Sequence, residues 1–184
     1  MKKIFLATAI LAASSATFAA GPNYNYLQGQ WQESELDGSN AELDGFGLAA
    51  SIDLNKEFFA FGQYASIDDR GVDADRFAVG AAYKMPIGTY TDLNFGGGIV
   101  SYDFKNFSLD GDDSDEGIML TAGIRSLLNK EVELGAGVTY EDAFDFDMLF
   151  NVYGAYHFNS QISAGVSLTT GDVDTTALYV RVAF

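Results

Sequence analysis

Hydrophobic positions in this chain recur at every second residue rather than every third or fourth. The clearest run closes the sequence: Leu178, Val180, Val182 and Phe184 share one side, and Ala177, Tyr179, Arg181 and Ala183 share the other. Strand side chains alternate with period two, so this is a strand with one apolar and one mixed face. The same pattern sets Phe46, Leu48, Ala50, Ile52 and Leu54 against Gly45, Gly47, Ala49, Ser51 and Asp53. It sets Phe77, Val79, Ala81, Tyr83 and Met85 against Arg76, Ala78, Gly80, Ala82 and Lys84. Four further runs, near 117–125, 132–141, 150–158 and 162–169, alternate as clearly. Segments near 58–67 and 91–103 alternate less cleanly, and near 24–33 the parity of Tyr24 and Tyr26 disagrees with that of Leu27 and Trp31. No segment sustains a helical period.

The connections alternate as well. Asn55-Lys56-Glu57, Pro86 to Tyr90, Leu128-Asn129-Lys130 and Asn159-Ser160 are short, while longer or more acidic loops are expected at 34–43, 68–74, 105–116, 142–147 and 171–174. Short turns at one rim and longer loops at the other is the layout of an up-and-down transmembrane barrel. The expected fold is all-β, a single antiparallel barrel of ten strands. Eight is the alternative count if the first or third segment stays outside the sheet. An even count places both ends of the barrel at the short-turn rim.

The two ends of the chain carry an address. Lys2 and Lys3 precede a short apolar run, Ile4 to Ala13, and Thr17 and Ala19 are the small residues of a cleavage after Ala19. This reads as a secretory signal over 1–19, with the barrel over 20–184. The rest of the chain has no apolar stretch long enough for a transmembrane helix, so any crossing is made by strands. An amphipathic last strand of Leu178, Val180, Val182 and a terminal Phe184 resembles the sorting signal read by the barrel-assembly machinery of bacterial outer membranes.

Composition decides which face turns inward. The net charge is −16, or −18 once Lys2 and Lys3 are removed, which argues against nucleic acid as a partner. Glycine is abundant at 20 residues, proline nearly absent at 2, and cysteine absent, so neither disulfides nor thiol chemistry is expected. The mixed face is rich in Gly, Ala, Ser and Thr rather than the Lys and Glu of a solvated exterior. Aromatics recur near strand ends at Phe46, Tyr83, Tyr140, Phe158 and Phe184, where an interfacial girdle sits. Both features turn the apolar band toward lipid, and the expected location is the outer membrane of a Gram-negative bacterium, in contact with lipid and lipopolysaccharide.

Four motifs then stand in order: Tyr24-Asn25-Tyr26-Leu27, Asp44-Gly45-Phe46-Gly47, Phe61-Gly62-Gln63-Tyr64 and Ala122-Gly123-Ile124-Arg125-Ser126-Leu127. Through them the chain resembles small outer-membrane barrels of gammaproteobacteria typified by a diffusible-signal-factor-regulated family of xanthomonads. It is more distantly similar to opacity-type and attachment-type barrels. The resemblance implies a narrow channel, an adhesin or an envelope structure, and does not choose among them.

Candidate chemistry is concentrated on the mixed face near the short turns. Arg125 and Glu133 are equidistant from Asn129, and Lys84 and Asp92 from Gly88, so each pair is expected to stand directly opposite across its hairpin. Asp53, His157 and Arg181 lie at similar depth. This belt is either a charged constriction or a salt-bridged plug. Asp110, Asp112, Asp113, Asp115 and Glu116 offer oxygen ligands for a divalent cation but depart from the calcium-loop pattern, so no metal or other cofactor is assigned. The one histidine, His157, falls at the short-turn end, the wrong rim for outward-facing protease or lipid-modifying chemistry; no enzyme is expected. The leading function is a structural or narrow pore-type barrel, and the alternative is a surface interaction barrel acting through acidic loops on an unidentified ligand.

Overall fold

A computed structural model describes residues 21–36, 42–69, 72–108, 111–143, 148–171 and 173–184. The strands are β1 (Tyr26–Leu36), β2 (Glu42–Asp53), β3 (Phe58–Asp69), β4 (Val72–Pro86), β5 (Thr91–Ser108), β6 (Gly111–Leu127), β7 (Val132–Glu141), β8 (Met148–His157), β9 (Ile162–Thr170) and β10 (Val173–Ala183). Each pairs antiparallel with its neighbours in sequence, and β1 pairs with β10, so the sheet closes without an edge. Closure satisfies the backbone groups that lipid cannot, which is why a barrel can cross a membrane.

The faces fall as the alternation requires. Leu48, Val79, Leu120, Leu134, Val152, Val166 and Val180 are exposed on the outside, as are Phe46, Tyr83, Tyr140, Phe158 and Phe184. The disputed first segment joins as β1, with Tyr26 lining the lumen while Leu27 and Trp31 face out, the two faces of one strand. Tyr24, ahead of β1, is also buried in the lumen.

Three short turns share one closure. Leu54 N–H bonds Phe58 O, Leu128 N–H bonds Val132 O, and Phe158 N–H bonds Ile162 O. In each the intervening asparagine folds its side chain over the turn. Asn55 Oδ1 accepts from Glu57 and Phe58 N–H, Asn129 Oδ1 from Glu131 and Val132 N–H, and Asn159 Oδ1 from Gln161 and Ile162 N–H, all at 2.8–2.9 Å. Asparagine is suited to this because its carbonyl mimics a backbone acceptor two residues on. The fourth turn closes through Ile87 N–H on Thr91 O.

This closure shifts two expected pairings. The β6–β7 hairpin is centred on Lys130 rather than Asn129, so Leu127 stands opposite Glu133, and Arg125 opposite Gly135. The β4–β5 hairpin is centred on Thr89, so Lys84 stands opposite Asn94, and Asp92 opposite Pro86. A turn centre moved by one residue displaces its cross-strand partners by two.

At the other rim, much of what reads as loop is strand. β5 runs to Ser108 and β6 begins at Gly111; β3 runs to Asp69 and β4 begins at Val72. A membrane strand needs roughly 9–11 residues, and β5 has 18. Beyond the lipid both faces can be polar, so the apolar alternation stops before the ladder does.

Candidate functional site

The structure brings Arg125, Glu133, His157 and Arg181 together, and Lys84 with Asp53, in pairings other than those expected. Glu133 on β7 is 1 % exposed and is the hub. Its Oε1 accepts from Arg125 Nε at 3.1 Å and Nη2 at 2.8 Å, from Tyr153 OH at 2.9 Å and from Arg181 Nη1 at 3.2 Å. His157 Nε2 lies 3.3 Å from Oε2. Arg125 thus reaches Glu133 diagonally, within the range of a long side chain, though not from the opposing position. Asp92, buried, stands opposite Arg125 in the β5–β6 register instead. Lys84 turns the other way and binds Asp53 Oδ1 at 2.5 Å, from β4 across β3 to β2.

Tyrosines fill the space between these charges. Arg181 lies over Tyr26 with 4.3 Å to the ring centroid, and Arg125 over Tyr24 at 4.5 Å. Lys84 is 4.8 Å from the Tyr24 centroid, and Phe59 packs on that ring at 4.4 Å. Cationic groups over tyrosine faces in a desolvated site are attracted to the ring quadrupole. Tyr24 therefore touches side chains from β3, β4 and β6 while its backbone leads into β1.

The chain ahead of β1 forms a strap across the short-turn mouth. Gly21 sits beside the β4–β5 turn, where an added Cβ would lie 3.6 Å from Thr89 O. Pro22 is buried, and Asn25 anchors the strap by accepting Asp53 N–H at 2.8 Å and donating to Asp53 Oδ2 at 3.3 Å. Asn25 O also accepts Phe184 N–H at 3.1 Å, tying both ends of the barrel together.

The inner glycines are not open space. A methyl group at Gly135 would collide with the Tyr153 ring, and one at Gly165 with Tyr179. These glycines seat rings against the wall and so tighten the belt.

A second network, not singled out by the sequence reading, lies farther from the short turns. Arg76 on β4 pairs with Glu141 on β7, which is fully buried; Tyr102 on β5 donates to Glu141 Oε2 at 2.5 Å, and Arg76 Nε donates to Tyr102 OH at 3.1 Å. Arg76 Nη1 also donates to Gln63 at 3.1 Å. The available signal was charge on the inner parity of β4 and β7 far from any short turn. A cavity of about 910 Å³ is lined by residues of both networks, among them Arg125, Arg181 and Tyr24 from the first and Arg76, Tyr102 and Glu141 from the second.

Of the acidic cation candidates, Asp110 lies outside the described residues, and Asp112 and Asp113 are described only in their backbone. Asp115 and Glu116 are adjacent in β6 and so point to opposite faces. Among the described residues no group of acids or histidine is arranged to hold a metal ion. The secretory signal expected over 1–19 lies outside the described residues. At the other end, Leu178, Val180 and Phe184 are exposed on the outer face of the closing strand, and Val182 shares their parity.

A closed barrel with a lipid-facing apolar exterior and a charged, hydrogen-bonded interior defines an integral membrane β-barrel. The chain belongs to the outer membrane protein beta-barrel domain family, whose model matches residues 5–184. The protein accordingly resides in the bacterial outer membrane as a β-barrel. No curated protein matches it. Among solved structures it is similar to the KdgM porin, at 14 % identity over 85 % of this chain and 99 % of that one, with a TM-score of 0.50. It is also similar to the N-terminal β-barrel domain of Pseudomonas aeruginosa OprF, at 12 % identity over 89 % and 100 % of the chains, TM-score 0.49. A third is Ail, the attachment invasion locus protein of Yersinia pestis, in complex with sucrose octasulfate, at 15 % identity over 86 % and 94 %, TM-score 0.40. At these identities the likeness is one of fold.

Proposed function

We propose that the protein is a narrow pore-type barrel held shut at its periplasmic mouth. The observation that carries this reading is the burial of Tyr24, at 2 % exposure, among Phe59, Lys84 and Arg125. Beneath a cavity wide enough for solutes, the strap and the Glu133 belt together occupy the lumen. Both arginines of the belt share one carboxylate, so the belt acts as a plug at rest and as a charged filter when the strap withdraws. The test is single-channel recording of the chain from residue 20 onward, refolded into a planar bilayer, beside Tyr24→Ala. Larger or more frequent steps from Tyr24→Ala support the reading. Silence from both, with insertion verified, makes the barrel a purely structural plug.

The alternative places function at the outer rim, where acidic strand ends would engage a surface ligand and the barrel would only mount them. The long β5–β6 hairpin, with Asp115 and Glu116 near its outer end, favours it. Kinship with the diffusible-signal-factor-regulated barrels of xanthomonads belongs to the proposal too and rests on the four shared motifs.

A further inference from the structure

The cavity above the belt has a chemistry of its own. Along β1 the amides of three glutamines form a ladder: Gln28 Nε2 donates to Gln30 Oε1 at 3.1 Å, and Gln30 Nε2 to Gln32 Oε1 at 2.8 Å. The ladder begins on the belt, because Arg181 Nε and Nη2 donate to Gln28 Oε1 at 3.1 and 3.0 Å. Each carboxamide has two N–H donors, and the ladder uses one from Gln28 and one from Gln30. A second donor of each is therefore left for whatever occupies the cavity.

The charges lining the same space already have partners within the protein. Arg76 is neutralised by Glu141, Arg125 and Arg181 both face Glu133 with Asp92 opposite Arg125, and Asp75 accepts from Tyr64 OH at 2.8 Å. An ion entering the cavity would lose hydration without meeting an uncommitted partner, which in a confined site is costly. A neutral solute with many hydroxyl groups would not. Its hydroxyls both donate and accept, matching free amide donors, and its C–H faces suit the rings of Phe61 and Tyr179, which also line the cavity. The volume of about 910 Å³ falls within the roughly 300–1,000 Å³ of small-ligand pockets.

We infer that the lumen is a binding pocket for a neutral polyhydroxylated solute of the saccharide class, seated against the Gln28–Gln30–Gln32 ladder and floored by the belt. This deepens the pore reading at the same lumen, since a closed floor makes a pocket of a conduit, but binding is read without any current.

The test is saturation-transfer NMR on the refolded chain in a detergent without sugar headgroups, with maltose as probe and glucuronate and glucosamine as charged comparators. Maltose is expected to receive saturation from the folded protein and to bind at least about tenfold more tightly than either comparator. Gln30→Leu is expected to weaken maltose roughly three- to tenfold, the loss of one or two hydrogen bonds, while Lys130→Ala, at the exposed turn, leaves it unchanged. If Gln30→Leu does not fold, Thr121→Trp, which fills the cavity from another wall, is expected to abolish binding. Absence of transfer to folded wild type, equal or tighter binding of glucuronate, or full affinity in a folded Thr121→Trp overturns the inference. A barrel that binds maltose yet stays silent in Tyr24→Ala loses the pore reading and keeps the pocket; one that conducts and binds nothing does the reverse.

Discussion

Arg181 Nη1 lies 3.2 Å from Glu133 Oε1, although the two residues sit on β10 and β7 with β8 and β9 between them. The backbone ladder joins only neighbouring strands, so this contact is a chord across the lumen. With Arg125 on β6 bonded to the same oxygen, one carboxylate ties together three strands that the sheet connects only around its circumference.

Glu133→Ala is expected to leave Arg125 and Arg181 buried without their carboxylate. Removing one member of a buried pair costs about 3–5 kcal/mol, so the urea midpoint of the refolded barrel should fall, and its conductance should rise as the plug loosens. Both quantities unchanged would count against the hub.

Arg76 and Glu141 are expected to behave as one unit. Arg76→Met and Glu141→Gln should each destabilise the barrel, and the double variant should cost less than the sum, with a coupling of about 0.5–3 kcal/mol in equilibrium unfolding. Strict additivity would mean that the pair is structurally adjacent but energetically independent.

Asn129→Ala removes the acceptor of two turn N–H groups. At about 0.5–1.5 kcal/mol per hydrogen bond, the barrel should lose about 1–3 kcal/mol, while Lys130→Ala stays within about 0.5 kcal/mol as an exposed change. Equal effects at the two positions would move the hairpin centre away from Lys130.

Deletion of Phe184 is expected to lower the amount of barrel assembled in the outer membrane, measured as heat-modifiable protein in membrane fractions. Its side chain is exposed to lipid, so the purified variant should refold nearly as well as wild type in detergent. Wild-type insertion levels in cells would remove Phe184 from the sorting signal.

Period-two alternation carried the fold because each strand has one wall of lipid and one of lumen, and the two demand different residues. For the same reason it put Arg125, Glu133, His157 and Arg181, which meet in the structure, on the inner parity. It did not carry the partners. Pairing depends on where a hairpin turns, and the repeated Leu54-Asn55-Lys56-Glu57 and Leu128-Asn129-Lys130-Glu131 strings mark that point only once asparagine is understood to begin the turn rather than centre it. The Arg76–Glu141 pair was hidden by distance: the two residues are 65 positions apart and three strands removed, and no local spacing encodes such a contact. Tyr24 escaped because it precedes the first strand, where alternation has no claim.

The shared asparagine closure at Asn55, Asn129 and Asn159 makes the periplasmic rim modular. A hairpin capped in this way carries its own register, so it can be copied or lost as a unit while the strands on either side keep theirs. Barrels of this kind can then change girth two strands at a time, which is the step size that keeps both termini on one side of the membrane.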